Sequence, residues 1–239
     1  MDIIRTKEGF LEGQLLLIDK PLGWTSFQVV NKIRWAIRKE FDIKKIKVGH
    51  AGTLDPLATG LLVICIGKHT KLIEGLTNDH KTYTGTFLLG KTTPSYDLET
   101  EYDQEFPTDH ITEEILQEVV SSFIGTQMQT PPIFSAKMID GKRAYDYARA
   151  GKEVEMKQNE VTIHSFTFDS TRFPEIDVEI SCSKGTYIRS IASDFGKKLH
   201  SGATMIGLRR TVSGEFRIED AKSVEEWIQI IESEEVFIP

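Results

Sequence analysis

Apolar residues recur at two spacings along this chain, and the switches between them predict its elements. Leu15, Leu16, Leu17 and Ile18 form a short run within QLLLIDKP (14–21) that reads as a buried strand stopped by Pro21. Val29, Ile33, Ala36 and Ile37 follow at i, i+4, i+7 and i+8, which predicts an amphipathic helix capped by Thr25 or Ser26. A glycine-punctuated loop, Gly49 to Gly60, then feeds the strand LLVICIG (61–67), and YTGTFLLG (83–90) reads as another strand. An acidic connection containing Pro94 and Pro107 leads to a helix around Glu113–Phe123. QTPPIFSAK (129–137) reads as an irregular loop, and AYDYARAGKEV (144–154) as a short helix ended by Gly151. VTIHSFTF (161–168) and IDVEISCS (176–183) alternate apolar and polar residues, as half-buried strands do. Helical spacing returns from Thr186 to Leu199 through Ile188, Ile191, Ala192 and Phe195. Ser223 and Glu226 make a capping-box pair that opens a last helix carrying Trp227, Ile230 and Ile231. Strands and helices mixed without strict βαβ alternation predict an α+β fold. With no internal repeat, low-complexity tract or linker, residues 1–239 read as one domain.

Composition narrows the setting. The longest apolar runs, Leu15–Ile18 and Leu61–Ile66, are far too short to span a bilayer, and MDIIRTKEGFLEG has no signal-peptide pattern. Two cysteines, Cys65 and Cys182, cannot build a disulfide framework, so the expected setting is reducing and cytoplasmic, with no membrane partner. The net charge of -7 argues against a nucleic-acid partner, but its distribution argues otherwise. Asp97 to Glu118 carries nine acids and no Lys or Arg, and Glu215 to the C-terminus carries eight acids against two bases; the rest of the chain is +8. Lys32 to Lys47 is the densest basic stretch, with seven Lys or Arg against two acids. Local field attracts a phosphate backbone, so RNA binding stays open. The bland alternative makes Lys32, Arg34, Arg38 and Lys39 the solvated face of a helix.

Several chemistries are excluded by what the motifs lack. Gly85-Thr-Phe-Leu-Leu-Gly90-Lys91-Thr92 satisfies the phosphate-loop pattern G-x-x-x-x-G-K-T. That mechanism needs a flexible loop and then a helix, whereas Phe87-Leu88-Leu89 favours strand and Pro94 disfavours helix at Thr93. A strand ending in a turn is the better reading. No zinc-deaminase signature, G-x-S-x-G or G-x-G-x-x-G is present. His50, His69, His80, His110, His164 and His200 show no metal-ligand spacing, so no metal site is expected.

The informative segment is GHAGTLDPLATG (49–60). Taken alone, Asp55-Pro56 has a bland explanation, with Asp55 as a helix N-cap and Pro56 as the first helical residue. His50 and the basic helix lie just upstream, and Tyr83 and Tyr187 offer faces that could stack bases. SKGTYIR (183–189) sets a tyrosine and an arginine two apart, and an arginine opposite an aspartate could orient its carboxylate. The residues alone define a possible carboxylate-using site with stacking aromatics.

At this point the chain resembles a known family. GHAGTLDPLATGLL around Asp55 is similar to the signature of the TruB family, the tRNA pseudouridine-55 synthases. Ordered matches at LLLIDKPLGWTS (15–26), KTYTGTFLLG (81–90), TPPIFSAKMIDGKRAYDYARAGKEV (130–154), CSKGTYIRSIASDFGKKL (182–199) and GLRRTVSGEF (207–216) extend the resemblance along nearly the whole chain. It implies a pseudouridine synthase fold, with a mixed, mainly antiparallel central sheet flanked by helices and loops. It also implies that Asp55 is the covalent catalyst and that Arg189 pairs with its carboxylate. Tyr83 would stack on the extruded uracil and serve as base, while Tyr187 and Leu208 would line the uracil pocket. His50 would fill the space left by the flipped base, and Lys20 would support the active-site loops. No cofactor or metal is implied. The implied partner is the tRNA T stem-loop, with a monomer that needs no obligate protein partner.

Each role has a plainer counterpart: Tyr83 and Leu208 as core, His50 as a loop hydrogen-bonder, and Arg189 paired with Asp194 or another surface acid. Two departures from the family pattern stand out. The chain stops soon after Trp227, where many relatives continue into an RNA-binding PUA domain, which predicts weaker tRNA affinity than that of a two-domain relative. Asp97 is present where the family often has an aspartate, but Thr100 replaces an expected glycine. The alternatives in function are a guide-RNA-dependent ribosomal RNA synthase of the same family and a non-catalytic RNA-binding module.

Overall fold

The computed structural model describes residues 3–135, 137–139, 141–150 and 154–233. Along them run α1 (Lys7–Glu12), β1 (Gln14–Lys20), α2 (Ser26–Glu40), β2 (Val48–His50), β3 (Ala58–Ile66), α3 (Ile73–Asn78) and β4 (Lys81–Leu89). They continue with β5 (Lys91–Thr92), β6 (Gln104–Glu105), α4 (Glu113–Ser121), β7 (Gly125–Gln129), β8 (Met138–Ile139), β9 (Lys142–Arg143) and α5 (Ala144–Arg149). The remainder are β10 (Asn159–Asp169), β11 (Glu175–Cys182), α6 (Ile188–Lys198), β12 (Ala203–Ser213), β13 (Phe216–Arg217), β14 (Lys222–Ser223) and α7 (Val224–Glu232). These fall into two compact units, residues 1–83 with 209–239 and residues 84–208. Among the described residues no helix is long and apolar enough to cross a membrane.

In the first unit β3 lies beside β1, antiparallel from Gln14↔Ile66 to Lys20↔Gly60, and β14 adds to β1 in parallel. β3 is apolar over Leu61–Ile66 because both its faces are covered. Leu61 and Val63 pack with Leu17, Ala51 and Phe216, while Leu62 and Ile64 point the other way and are equally buried. α2 buries the stripe Val29, Val30, Ile33, Ala36 and Ile37, as its spacing predicts. Burial of each large member contributes about 1.5–3 kcal/mol. Thr25 is the N-cap and forms a capping box with Gln28, a pairing also encoded by T-x-x-Q. The predicted Ser223–Glu226 box opens α7, whose Trp227 is buried with its indole N–H donating to Leu17 O at 2.8 Å.

In the second unit the sheet order is β12-β4-β11-β10-β7, with β11 and β7 antiparallel to β10. Phe87 of β4, Phe166 of β10, Phe123 and Phe195 of α6 form a ring cluster, with centroids 5.7–6.4 Å apart. The stretch that matched a phosphate loop is strand β4, a turn at Gly90 with φ 83°, and the two-residue strand β5; no helix follows Thr92. The helix over 144–154 is realised as α5, while Gly151, its expected end, lies outside the described residues. β12 had no counterpart among the predicted elements. Its sequence, ATMIGLRRTVS, carries two arginines and a mid-strand glycine that hide its periodicity.

Candidate active site

The seven residues singled out from the sequence divide between the units: Lys20, His50, Asp55 and Tyr83 in the first, Tyr187, Arg189 and Leu208 in the second. Each unit has its own geometry.

Asp55 does not cap a helix. Residues 55–58 form a turn in which Ala58 N donates to Asp55 O at 3.1 Å, and β3 begins at Ala58. Three neighbours fix this turn. Ser26, buried in the first turn of α2, donates from its hydroxyl to Leu54 O at 3.0 Å and accepts from Leu54 N at 2.9 Å. Gly23 N donates to Pro56 O at 2.8 Å, and Ala51 N donates to Val63 O at 2.9 Å. The carboxylate between these anchors is half-buried on a backbone that has little freedom.

Two buried cations support the loop. Lys20, at the end of β1, is fully buried, and its ammonium donates to Trp24 O at 2.6 Å and Pro21 O at 2.9 Å. Burial lowers its pKa to about 8, against the opposing pull of the Asp55 carboxylate and with a smaller push from Arg210. Arg210, on β12, is 1% exposed; its Nε donates to Leu61 O at 2.7 Å and its Nη2 to Gly52 O at 3.1 Å. Gly60, at φ 100°, admits the close strand approach, since a Cβ there would meet Arg210 O at 2.3 Å. The adjacent Arg209 makes a two-pronged pair with Asp19, at 2.9 and 2.7 Å.

His50 is half-buried at the end of β2, and its Nδ1 is a buried atom with no hydrogen bond. Burial first, then the Arg210 charge, hold its pKa below the usual histidine value, partly offset by the Gly52 backbone. The ring is therefore uncharged at neutral pH, which suits contact with a base more than with a phosphate. Tyr83 is half-buried near the start of β4, so a wholly buried core position does not describe it.

In the second unit Tyr187 precedes α6, where Gln129 grips its backbone from both sides. Tyr187 N donates to Gln129 Oε1 at 2.8 Å, and Gln129 Nε2 donates to Tyr187 O at 3.1 Å. Its side chain is half-buried, as is that of Leu208 on β12. Arg189, in the first turn of α6, is 4% exposed and lies 3.5 Å from the equally buried Asp97, with Ser95 O at 3.3 Å. Asp194 is half-buried and pairs with Lys197 at 3.0 Å, whereas the buried acid beside Arg189 is Asp97. Asp97 Oδ1 accepts from Glu99 N, and the Thr100 hydroxyl, at the position where a glycine was expected, lies 2.9 Å from Ser95 Oγ and accepts from Ser95 N at 3.1 Å. A buried ion pair with these extra hydrogen bonds is a rigid device for holding an arginine.

Neither Arg210 nor Ser26 stood out from the sequence as a site residue, though GLRRTVSGEF and LLLIDKPLGWTS contain them. Paired arginines after an apolar glycine strand were the available signal for Arg210. Ser26 was visible only as a possible cap.

Comparison with solved structures places this architecture among pseudouridine synthase folds. A chain of the structure titled "Crystal Structure of a Cbf5-Nop10-Gar1 Complex" superposes with a TM-score of 0.70 at 23% identity, covering 95% of this chain and 62% of that one. One from "Structure of H/ACA RNP bound to a substrate RNA containing 2'-deoxyuridine" gives 0.67 at 22% identity, over 93% and 54%. This chain thus spans somewhat more than half the length of those chains, and the likeness is one of fold. Residues 38–188 match the model of the TruB family pseudouridylate synthase, N-terminal domain. A protein of Flavobacterium johnsoniae called tRNA pseudouridine synthase B is 55% identical over 217 residues, 90% of this chain and 95% of its own length. A protein of the same name from Phocaeicola vulgatus is 54% identical over 230 residues, 95% and 98%. The chain belongs to the TruB family of pseudouridylate synthases.

Proposed function

We propose that this chain isomerises uridine to pseudouridine in tRNA, at the T-loop uridine (position 55 in tRNA), with Asp55 as nucleophile. The relatives' shared name supports tRNA as the substrate over ribosomal RNA read through a guide. The observation that carries the assignment of Asp55 is its half-buried carboxylate on a turn anchored by Ser26, Gly23 and Arg210-bound Gly52, with the buried Lys20 ammonium acting on it.

The reaction breaks the N1–C1′ bond and forms a C5–C1′ bond; one proton leaves C5 and one is gained at N1. No electrons are exchanged with any co-reactant, so a placed carboxylate and a base suffice. The target uridine must leave its stack, which costs a few kcal/mol, and His50 is proposed to fill the space it leaves. Tyr83 is proposed to stack on the extruded uracil and take the C5 proton. Tyr187 and Leu208 are proposed to line the uracil pocket, and Arg189 to orient the catalytic carboxylate. Both units together are read as one catalytic domain, acting as a cytoplasmic monomer with no obligate protein partner. Recognition of the folded T loop would rest on shape and backbone contacts.

The test is incubation of the purified chain with an unmodified tRNA transcript, with nothing else added. One pseudouridine per tRNA, at the T-loop uridine, is expected. Formation only after a guide RNA or partner protein is supplied would overturn this reading.

A further inference from the structure

One face of α2 presents an exposed indole among lysines. Trp35 is 53% exposed on it, although an indole is among the side chains most often covered in a folded protein. The Lys32 ammonium stands 5.7 Å from the Trp35 ring and the Lys39 ammonium 5.0 Å, so cations flank the indole. Lys39 also comes within 3.8 Å of Glu232. Trp24, Gln28, Asn31, Lys32 and Trp35 line a shallow open groove along this face. Lys44, Lys45 and Lys47 are exposed in the segment after the helix.

The chemistry of the groove selects its occupant. An apolar protein surface would cover the indole but strand the lysines without water or counter-charge. A nucleic-acid strand offers both complements, a π-face for the indole and phosphates for the ammonium groups. The charge distribution agrees: residues 32–47 carry seven Lys or Arg against two acids in a chain of net charge -7. The face is also tied to the candidate active site, because Ser26 at the start of α2 holds Leu54, the residue before Asp55. Trp35 lies nine residues further on, about 14 Å along the helix axis.

We propose that the Trp35 face of α2 is a second RNA-binding surface, where Trp35 stacks on an unpaired base of the tRNA while Lys32 and Lys39 hold its phosphates. This rests on the tRNA reading given above. It places RNA contact outside the pocket for the reacting uridine and gives this unit a grip of its own on the substrate.

The test measures the Kd for unmodified tRNA, and the KM and kcat of pseudouridine formation, for wild type, Trp35→Ala and Lys32→Gln/Lys39→Gln. Loss of one stacked base predicts a rise in Kd and KM of about tenfold for Trp35→Ala, with kcat nearly kept at saturating RNA. The double lysine variant should lower the slope of log K against log salt by about 1.5–2. Trp35 is exposed, so circular dichroism should be unchanged. A Kd within twofold of wild type for Trp35→Ala would overturn the proposal, as would Trp35-dependent dimerisation in sedimentation. Failure of the wild type to form pseudouridine would count against the function itself, whereas the Kd comparison still decides the RNA surface.

Discussion

Two glycine-bearing stretches invite comparison: Gly85–Thr92 matches a phosphate-loop pattern although its residues favour strand, and Gly49–Gly60 carries Asp55. They fold differently. Gly85–Thr92 is the end of β4, a turn and β5, with Phe87 in an aromatic core. Gly49–Gly60 leaves β2, turns at Asp55 and enters β3, and its backbone groups are held by the Ser26 hydroxyl and the Arg210 guanidinium. Glycine spacing alone therefore does not make a site. Both receive hydrogen bonds from distant parts of the chain, Gly85–Thr92 from the Thr204 hydroxyl at Lys91 O among others; what separates them is that the Asp55 loop is held by a buried guanidinium and carries a half-buried carboxylate.

That contrast can be tested by breaking the support. Short of the nucleophile itself, the largest effect is expected at Arg210. Arg210→Met strands Leu61 O and Gly52 O, each unmade bond costing about 1–3 kcal/mol, so denaturant unfolding should show a loss of about 3 kcal/mol. Activity should fall well beyond what lost stability explains at a temperature where the variant is folded. Ser26→Ala removes both the donor and the acceptor that hold Leu54, and a loss of about 1–3 kcal/mol is expected, with a lowered kcat.

Lys20 sharpens the picture through pH. Its folded pKa of about 8 lies below its ordinary value of 10.5. Between those values the unfolded chain binds more protons, so this residue's contribution to stability rises with pH through about 8 to 10.5 and is fully unfavourable below that window. Activity should run the other way: losing the ammonium beside Asp55 above about pH 8 should lower the rate, and Lys20→Met should flatten that limb. A rate limb near pH 8 that persists in the variant would assign it elsewhere. The smallest effect belongs to the other stretch. Lys91 pairs with Glu105 at 3.0 Å on the surface, so Lys91→Ala should change stability by less than about 1 kcal/mol and leave pseudouridine formation unaltered.

The same contrast explains what could be read in advance. α2, α7 and the strands around Leu16, Leu62 and Phe166 were legible because local period and caps specify them. Thr25 and Ser223 each sit where a capping residue should. β12 was not legible, since Arg209 and Arg210 interrupt its apolar pattern. Arg210 is buried in spite of its charge because carbonyls 149 and 158 residues away accept hydrogen bonds from its guanidinium N–H groups. The Arg189–Asp97 pair spans most of the second unit in sequence, and no local pattern announces it. The plainer alternative of a helix cap at Asp55 does not hold, because the chain returns into β3 at Ala58 and leaves no helix to cap.

The central claim is that Asp55 is the nucleophile of a tRNA pseudouridine synthase. Single-turnover pseudouridine formation on an unmodified T-arm stem-loop, with wild type compared with Asp55→Asn, tests it most directly. Wild type should form pseudouridine at the single T-loop uridine, and a folded variant that still binds the RNA should form none. Full activity in the Asp55→Asn variant would contradict it.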